Sequence, residues 1–304
     1  PAMEHAQEIV PDTQHRGLIA ALPQPLRDLA QLARFDRPIG WWLLFWPCAW
    51  GLLLAGGAAR WDLLLWFLLG SIAMRGAGCV YNDIVDADLD RQVARTAARP
   101  VASGRISKGA AWAWLLTLCG VGLIVLLQLR WQAQLVALGS LALVAAYPFM
   151  KRITGFPQAW LGLVFTWGVP VGWIAVSDWN LGAMAALYAG AVLWCVGYDT
   201  IYACQDREDD AMVGIGSSAL TLGRHVQAGV AGFYSGAVAC WGLAIWLLRP
   251  DWLALLALLP AALHLAWQVL TLNDTDADNA LARFRANRTA GLLVALACWV
   301  VGNA

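Results

Sequence analysis

Charge is scarce in this chain. Only 13% of its 304 residues are Asp, Glu, Lys or Arg, against 60% hydrophobic residues and a mean hydropathy of +0.60. That balance leaves too little polar surface for a soluble domain of this length. The formal net charge is zero, and no nucleic-acid partner is expected. The 4 histidines, among them His225 and His264, lack ligand spacing, and the 7 cysteines show no CxxC pair and lie mostly in apolar runs. Neither a zinc site nor a disulfide framework is expected from them. The first 37 residues lack the basic-then-apolar pattern of a cleavable signal and read as a polar cytoplasmic arm, residues 1–37, leading into a membrane domain, residues 38–304.

What is abundant is apolar sequence in runs of bilayer length. Windows of roughly 20 apolar residues, each one membrane span, fall near 39–57, 62–81, 110–129, 131–149, 158–177, 181–201, 226–248, 252–271 and 289–302. The expected fold is therefore all-α, a polytopic bundle of about nine transmembrane helices. Alternating the connecting loops between two sides leaves Arg60, Arg130 and Arg249 on one side and Arg75 inside a span, with the other Lys and Arg residues on the opposite side. The basic side is assigned to the cytoplasm, and a bacterial inner membrane is the expected location. Trp61, Trp131, Trp179 and Trp252 sit at the outer turns, and Trp41 and Trp42 at the inner start of the first span, as amphipathic rings do at headgroup depth.

Two acidic stretches break the apolar pattern, Asn82 to Asp90 and Asp199 to Asp210, both on the basic side at the ends of spans. Carboxylates near lipid are expensive, at least ~2.5–3.5 kcal/mol at the bilayer centre, so a cationic or catalytic use is expected. On a helix Asn82, Asp86 and Asp90 recur at every fourth position, with Asp83 beside them, and Asp206 and Asp210 repeat the spacing. Oxygen ligands without His or Cys suit magnesium, which keeps several waters and is completed by phosphate oxygens. These six residues are the candidate metal ligands of a two-metal diphosphate clamp; the alternative is a pair of solvated helix ends.

Basic residues recur around the acids. Arg95, Lys151 and Arg152 abut the same mouth; Lys151 and Arg95 are candidates for diphosphate contact, beside the simpler reading that they mark the positive side. Arg75 lies about two turns before Asn82, inside the membrane, and needs an anion, either an acid of the cluster or a substrate carboxylate. By contrast Asn273 to Asn279 imitates a calcium loop, but its register puts Asn279 where Gly is required and Arg285 where Glu is required. A solvated turn is expected there. Tyr81-Asn82-Asp83 and Tyr198-Asp199-Thr200 each close a span four spans apart, so the domain reads as two related four-helix halves plus a ninth helix.

The motifs together resemble those of the UbiA family of intramembrane prenyltransferases, most closely its branch acting on 4-hydroxybenzoate. NDxxDxxxD is Asn82 to Asp90, RTxxRPxxSG runs from Arg95 to Gly104, and YDTxYAxxDRxDD is Tyr198 to Asp210. Arg37 to Gly40, Met74 to Cys79, Tyr147 to Arg152 and the polar run Asn279 to Asn287 extend the resemblance over nearly the whole chain beyond the amino-terminal arm.

The resemblance implies a nine-helix bundle around an apolar cavity with a cytoplasmic cap. It implies magnesium (Mg2+) as cofactor, polyprenyl diphosphate and 4-hydroxybenzoate as substrates, and membrane lipid as surroundings, with no obligatory protein partner. It also implies substrate contacts for Arg37, Tyr147, Arg152 and Tyr202, and makes Asp199 and Arg75 candidate catalytic residues. Asp199 would serve proton transfer or polarise the phenol, a purely structural acid being the alternative. The implied reaction is prenylation of the ring carbon ortho to the hydroxyl, in ubiquinone biosynthesis. Other acceptors (dihydroxynaphthoate, homogentisate, haem) and, from another class, a lipid transporter stay open. The DGxxDGxxAR-type run of CDP-alcohol phosphatidyltransferases is absent.

Overall fold

The computed structural model describes residues 16–92, 96–153, 157–205 and 217–304. Every regular element among them is helical. In chain order they are α1 (Arg16–Ala20), α2 (Gln24–Leu32), α3 (Ile39–Leu54), α4 (Trp61–Val85), α5 (Ala87–Asp90), α6 (Lys108–Leu127), α7 (Trp131–Ile153), α8 (Pro157–Phe165), α9 (Gly168–Ile174) and α10 (Leu181–Ala203). There follow α11 (Ser218–Leu222), α12 (Val226–Leu248), α13 (Trp252–Leu255), α14 (Leu259–Thr271), α15 (Ala277–Arg285) and α16 (Asn287–Gly302).

Helix occupies each of the nine expected regions, but the count of full spans is lower. Among the described residues 6 helical stretches are long and apolar enough to cross a bilayer, with Ile39–Leu54 and Trp131–Tyr147 as shorter apolar helices. The region expected as one span over 158–177 is instead two short helices, α8 and α9, separated at Thr166 and Trp167. Close backbone contact holds this segment in place. A Cβ on Gly168 would strike the Cys48 thiol, one on Gly172 the Cys48 carbonyl, and one on Gly51 the Val169 carbonyl. Between helices in lipid the hydrophobic effect contributes little, so small residues that let backbones approach decide where helices meet.

The chain divides into two compact units. The first comprises residues 1–41 and 68–126. Its core joins Leu32 and Ala33 at the end of α2 to Ala77, Val80 and Ile84 of α4 and to Ala111, Leu115 and Leu118 of α6. Trp114 of α6 donates its indole N–H to the Leu29 carbonyl at 3.2 Å, so α2 is fastened to the unit that carries the first acidic stretch.

The second unit comprises residues 42–67 and 127–304. Trp50, Trp194 and Trp241 are fully buried at its centre, with the Trp50 ring 4.9 Å from Trp194 and 5.3 Å from Trp241. The Trp50 indole N–H is satisfied by the Gly291 carbonyl at 2.8 Å, as a buried indole requires. Gly190 and Gly197 lie two turns apart on α10, and a Cβ on either would press into the rings of Trp241 and Tyr234 on α12. By contrast Trp61, Trp131, Trp179 and Trp252 at the outer turns are 67%, 65%, 60% and 75% exposed, which matches interfacial rings.

Candidate active site at the acidic stretch

The four candidate ligands of the first stretch occupy different surroundings. α4 runs through Val85, and Asp86 N bonds to the Asn82 carbonyl at 2.9 Å while Asp90 N bonds to Asp86 O at 2.8 Å. The helical hydrogen-bond pattern therefore continues across the junction with α5 and keeps Asn82 and Asp86 one turn apart on one face. Both are exposed. Asp83 and Asp90 are buried instead, at 1% and 6% exposure.

Guanidinium groups hold the two buried acids. Arg34 Nη2 donates to both oxygens of Asp83, at 2.9 and 3.1 Å. Arg99 Nη1 donates to Asp90 Oδ2 at 2.9 Å and to Asp83 Oδ1 at 3.4 Å. Arg99 thus links the start of the stretch to its end, and Thr96 adds a hydroxyl bond to the Asp90 carbonyl at 3.0 Å. Hydrogen bonds between an ionised guanidinium and an ionised carboxylate are stronger than those between neutral groups.

Arg34 reaches Asp83 from an unusual backbone position. α2 ends in a reverse turn in which Phe35 N bonds to Ala30 O at 2.9 Å and Arg34 N to Gln31 O at 3.1 Å. This pattern places its first non-helical residue in the left-handed region, where glycine is preferred. Here it is Arg34, with φ of 58°. Its guanidinium also donates to the Gln31 carbonyl at 2.9 Å, closing the helix end. Burial works against the Arg34 charge, but the carboxylate of Asp83, by proximity and by hydrogen bonding, outweighs it and raises the arginine above its ordinary pKa. The sequence counted Arg34 among the positive-side residues and placed Arg99 in the RTxxRPxxSG stretch, without pairing either with an acid; the local signal at Arg34 was an amphipathic helix followed by Arg where glycine would be expected.

Arg75 sits on α4, and its side chain runs over Gly40 at the start of α3: a Cβ there would lie 2.6 Å from Arg75 Nε. Arg37 pairs with its neighbour Asp36 at 3.6 Å. In the second unit, Asp199 and Tyr202 lie near the end of α10, both half-buried, and Asp199 interacts electrostatically with the Tyr147 phenol of α7. The Tyr202 ring packs 4.7 Å from Phe284, which also meets Tyr198 at 5.9 Å. Arg95, Asp206 and Asp210, and the side chains of Lys151 and Arg152, lie outside the described residues.

The donors that are described fit magnesium in kind. Asn82 and Asp86 offer oxygen on an exposed helical face, with no His or Cys between them, as a hard cation that retains water prefers. No group of three His, Cys, Asp or Glu converges among the described residues. The calcium-loop imitation at Asn273 to Asn279 is turn chemistry: Asp276 caps α15 by accepting from Asp278 N at 3.0 Å and Asn279 N at 3.2 Å, and Asn279 Oδ1 accepts from Asn273 N at 2.8 Å.

Comparison with known proteins places these observations in a family. The profile described as the UbiA prenyltransferase family matches residues 44–296. The mitochondrial 4-hydroxybenzoate polyprenyltransferase of Drosophila pseudoobscura pseudoobscura is 40% identical over 284 residues, covering 92% of this chain and 72% of that protein. The enzyme of the same name in Homo sapiens is 40% identical over 294 residues, covering 94% and 78%. A UbiA homolog from Aeropyrum pernix K1 superposes with a TM-score of 0.68 at 26% identity, covering 85% of this chain and 97% of that one. A UbiA homolog from Archaeoglobus fulgidus bound to GPP and Mg2+ shares the fold, with a TM-score of 0.65 at 16% identity over 91% of this chain and all (100%) of that one. The relatives also correct one expectation. The two 4-hydroxybenzoate polyprenyltransferases named above are mitochondrial enzymes, which contradicts the expected bacterial inner membrane, while the multi-pass character stands.

Proposed function

The chain belongs to the UbiA prenyltransferase family, and on that premise we propose that it transfers a polyprenyl group from polyprenyl diphosphate to the ring carbon ortho to the hydroxyl of 4-hydroxybenzoate, in ubiquinone biosynthesis. The observation that carries this reading is about 40% identity, over nearly the whole chain, to enzymes of that activity. The exposed pair Asn82 and Asp86 supports it as a place for hard-cation chemistry.

In the reaction the allylic C–O bond breaks and its electron pair departs on diphosphate. The ring carbon then forms the new C–C bond, and the proton it loses restores aromaticity. Magnesium, when bound, supplies positive charge to the departing diphosphate. Asn82 and Asp86 would hold it from the first stretch, and Asp206 and Asp210 are assigned the same oxygen-donor role from their motif alone. Arg95, Lys151 and Arg152 are assigned to phosphate oxygens by charge and position in the sequence. Arg75 is assigned to the acceptor's carboxylate, since a planar two-donor group inside a span suits a carboxylate. Asp199 is assigned to the departing proton or the phenol, with Tyr147 in electrostatic range. The reaction needs water kept from the reacting carbons, since water would intercept a carbocation.

The test is incubation of the purified chain in lipid with magnesium, a polyprenyl diphosphate and a panel of aromatic acids, the products identified by mass. A prenylated 4-hydroxybenzoate is expected. Preference for dihydroxynaphthoate or homogentisate would keep the reaction class and replace the acceptor, and failure to release diphosphate with any acceptor would refute the enzyme reading.

A further inference from the structure

We propose that Arg34 and Asp83 form a positioning pair for the acidic stretch, in which Asp83 serves as the counter-ion of Arg34 and holds Asn82 and Asp86 in place rather than ligating metal itself. The proposal rests on the magnesium-dependent reading above and divides the work within one motif.

Two independent features of the fold carry it. Asp83 is 1% exposed and both its oxygens already accept from Arg34, with Arg99 adding a longer contact. A carboxylate engaged on both oxygens by a buried guanidinium would have to leave that partner uncompensated in order to ligate a cation, which a low-polarity interior penalises heavily. Asp86, three residues on, is exposed and meets no such obstacle. The second feature is the left-handed backbone of Arg34, φ 58°, at a site where glycine costs least. An arginine tolerated there is explained by what its side chain does, and its side chain fastens α2 to the last turn of α4.

The pair is therefore the joint through which the core of the first unit fixes the direction of the helical face that bears Asn82 and Asp86. Arg99 extends the joint to Asp90 at 2.9 Å, so both ends of the stretch are anchored. Second-layer groups of this kind set the geometry of ligands they never replace.

The deciding comparison uses the full chain in lipid nanodiscs, with Mn2+ as the metal probe followed by electron paramagnetic resonance and with thermal melting read in parallel. Asp83→Asn leaves the Arg34 charge without its main partner; a melting temperature lower by several degrees and Mn2+ affinity weakened by about tenfold are expected. The double variant Arg34→Gln/Asp83→Asn removes both charges together but leaves two amides that can hydrogen-bond across the same joint, and it should recover most of the lost melting temperature and most of the Mn2+ affinity. A double variant that melts like the parent yet binds Mn2+ as poorly as Asp86→Asn would overturn the proposal, because Asp83 would then be a ligand. Should the double variant fail to fold, Arg34→Lys decides: it keeps the charge and loses the second nitrogen, Nη1, which donates to the Gln31 carbonyl while Nη2 holds Asp83. Weakened Mn2+ binding by a folded Arg34→Lys supports the positioning role, and unchanged binding overturns it. These readouts stand apart from prenyl transfer, so an acceptor or reaction class wrongly assigned would show in the product assay and leave the Mn2+ comparison intact.

Discussion

The indole N–H of Trp194 donates to the Oδ1 of Asn287 at 2.9 Å, with both side chains wholly buried. Around this bond the second unit gathers its interior polar groups. Tyr234 donates to Gln268 Oε1 at 2.9 Å, and Asn287 Nδ2 donates to the same oxygen at 3.1 Å, so α10, α12, α14 and α16 meet at one satisfied network. In a hydrocarbon surrounding such groups have no water to fall back on.

Asn287→Leu should destabilise the chain by about 1–3 kcal/mol, because it strands the Trp194 donor and removes one partner of Gln268. Thermal melting in nanodiscs reads the loss. The double variant Asn287→Leu/Trp194→Phe should be less destabilised than the two single changes added together; strict additivity would show that the bond carries no coupling.

Asp86→Ala should nearly abolish prenyl transfer while leaving the melting temperature close to the parent's, since the side chain is exposed and its loss removes a donor, not a packing contact. Chelation should have the same effect on the unaltered chain, with recovery on added magnesium and poor recovery on zinc, which prefers nitrogen and sulfur. Near-normal turnover of Asp86→Ala without excess magnesium would remove Asp86 from the donor set.

Arg75 and Gly40 make a linked pair of variants. Arg75→Lys loses the planar fork, so the apparent KM for the aromatic acid should rise by about tenfold, equivalent to about 1.4 kcal/mol, with less effect on the prenyl diphosphate. Gly40→Ala should copy this pattern more weakly, because its Cβ would lie 2.6 Å from Arg75 Nε and displace the guanidinium. Should magnesium and diphosphate dependence shift first, Arg75 supports the acids. Unchanged kinetics for both substrates would leave it a structural ion-pair partner.

Asp276→Ala should cost about 1 kcal/mol, the worth of an N-cap, and leave metal dependence alone, since its carboxylate is spent on the amides of Asp278 and Asn279. A change in the magnesium requirement would reinstate a metal role for that turn.

The sequence by itself determined the membrane character and the positions of the helices. These follow from a local quantity, apolar runs of bilayer length. The turn at Asn273 to Asn279 was legible for the same reason, because its failed calcium register is local. Composition gave a membrane but not which one, since a basic side is a statement about topology and the compartment is not encoded in hydropathy.

Tertiary structure decided what spacing could not. Asp83 and Asp86 are chemically identical and three residues apart, yet one is buried against Arg34, 49 positions away in sequence, and the other is exposed. Likewise 158–177 had the hydropathy of one span, but it is two short helices parted at Thr166 and Trp167, the second lying with Gly168 and Gly172 against Cys48. Both arrangements involve long-range contacts that spacing does not encode: a guanidinium that makes burial of one carboxylate tolerable, and a backbone approach open only to residues without a side chain.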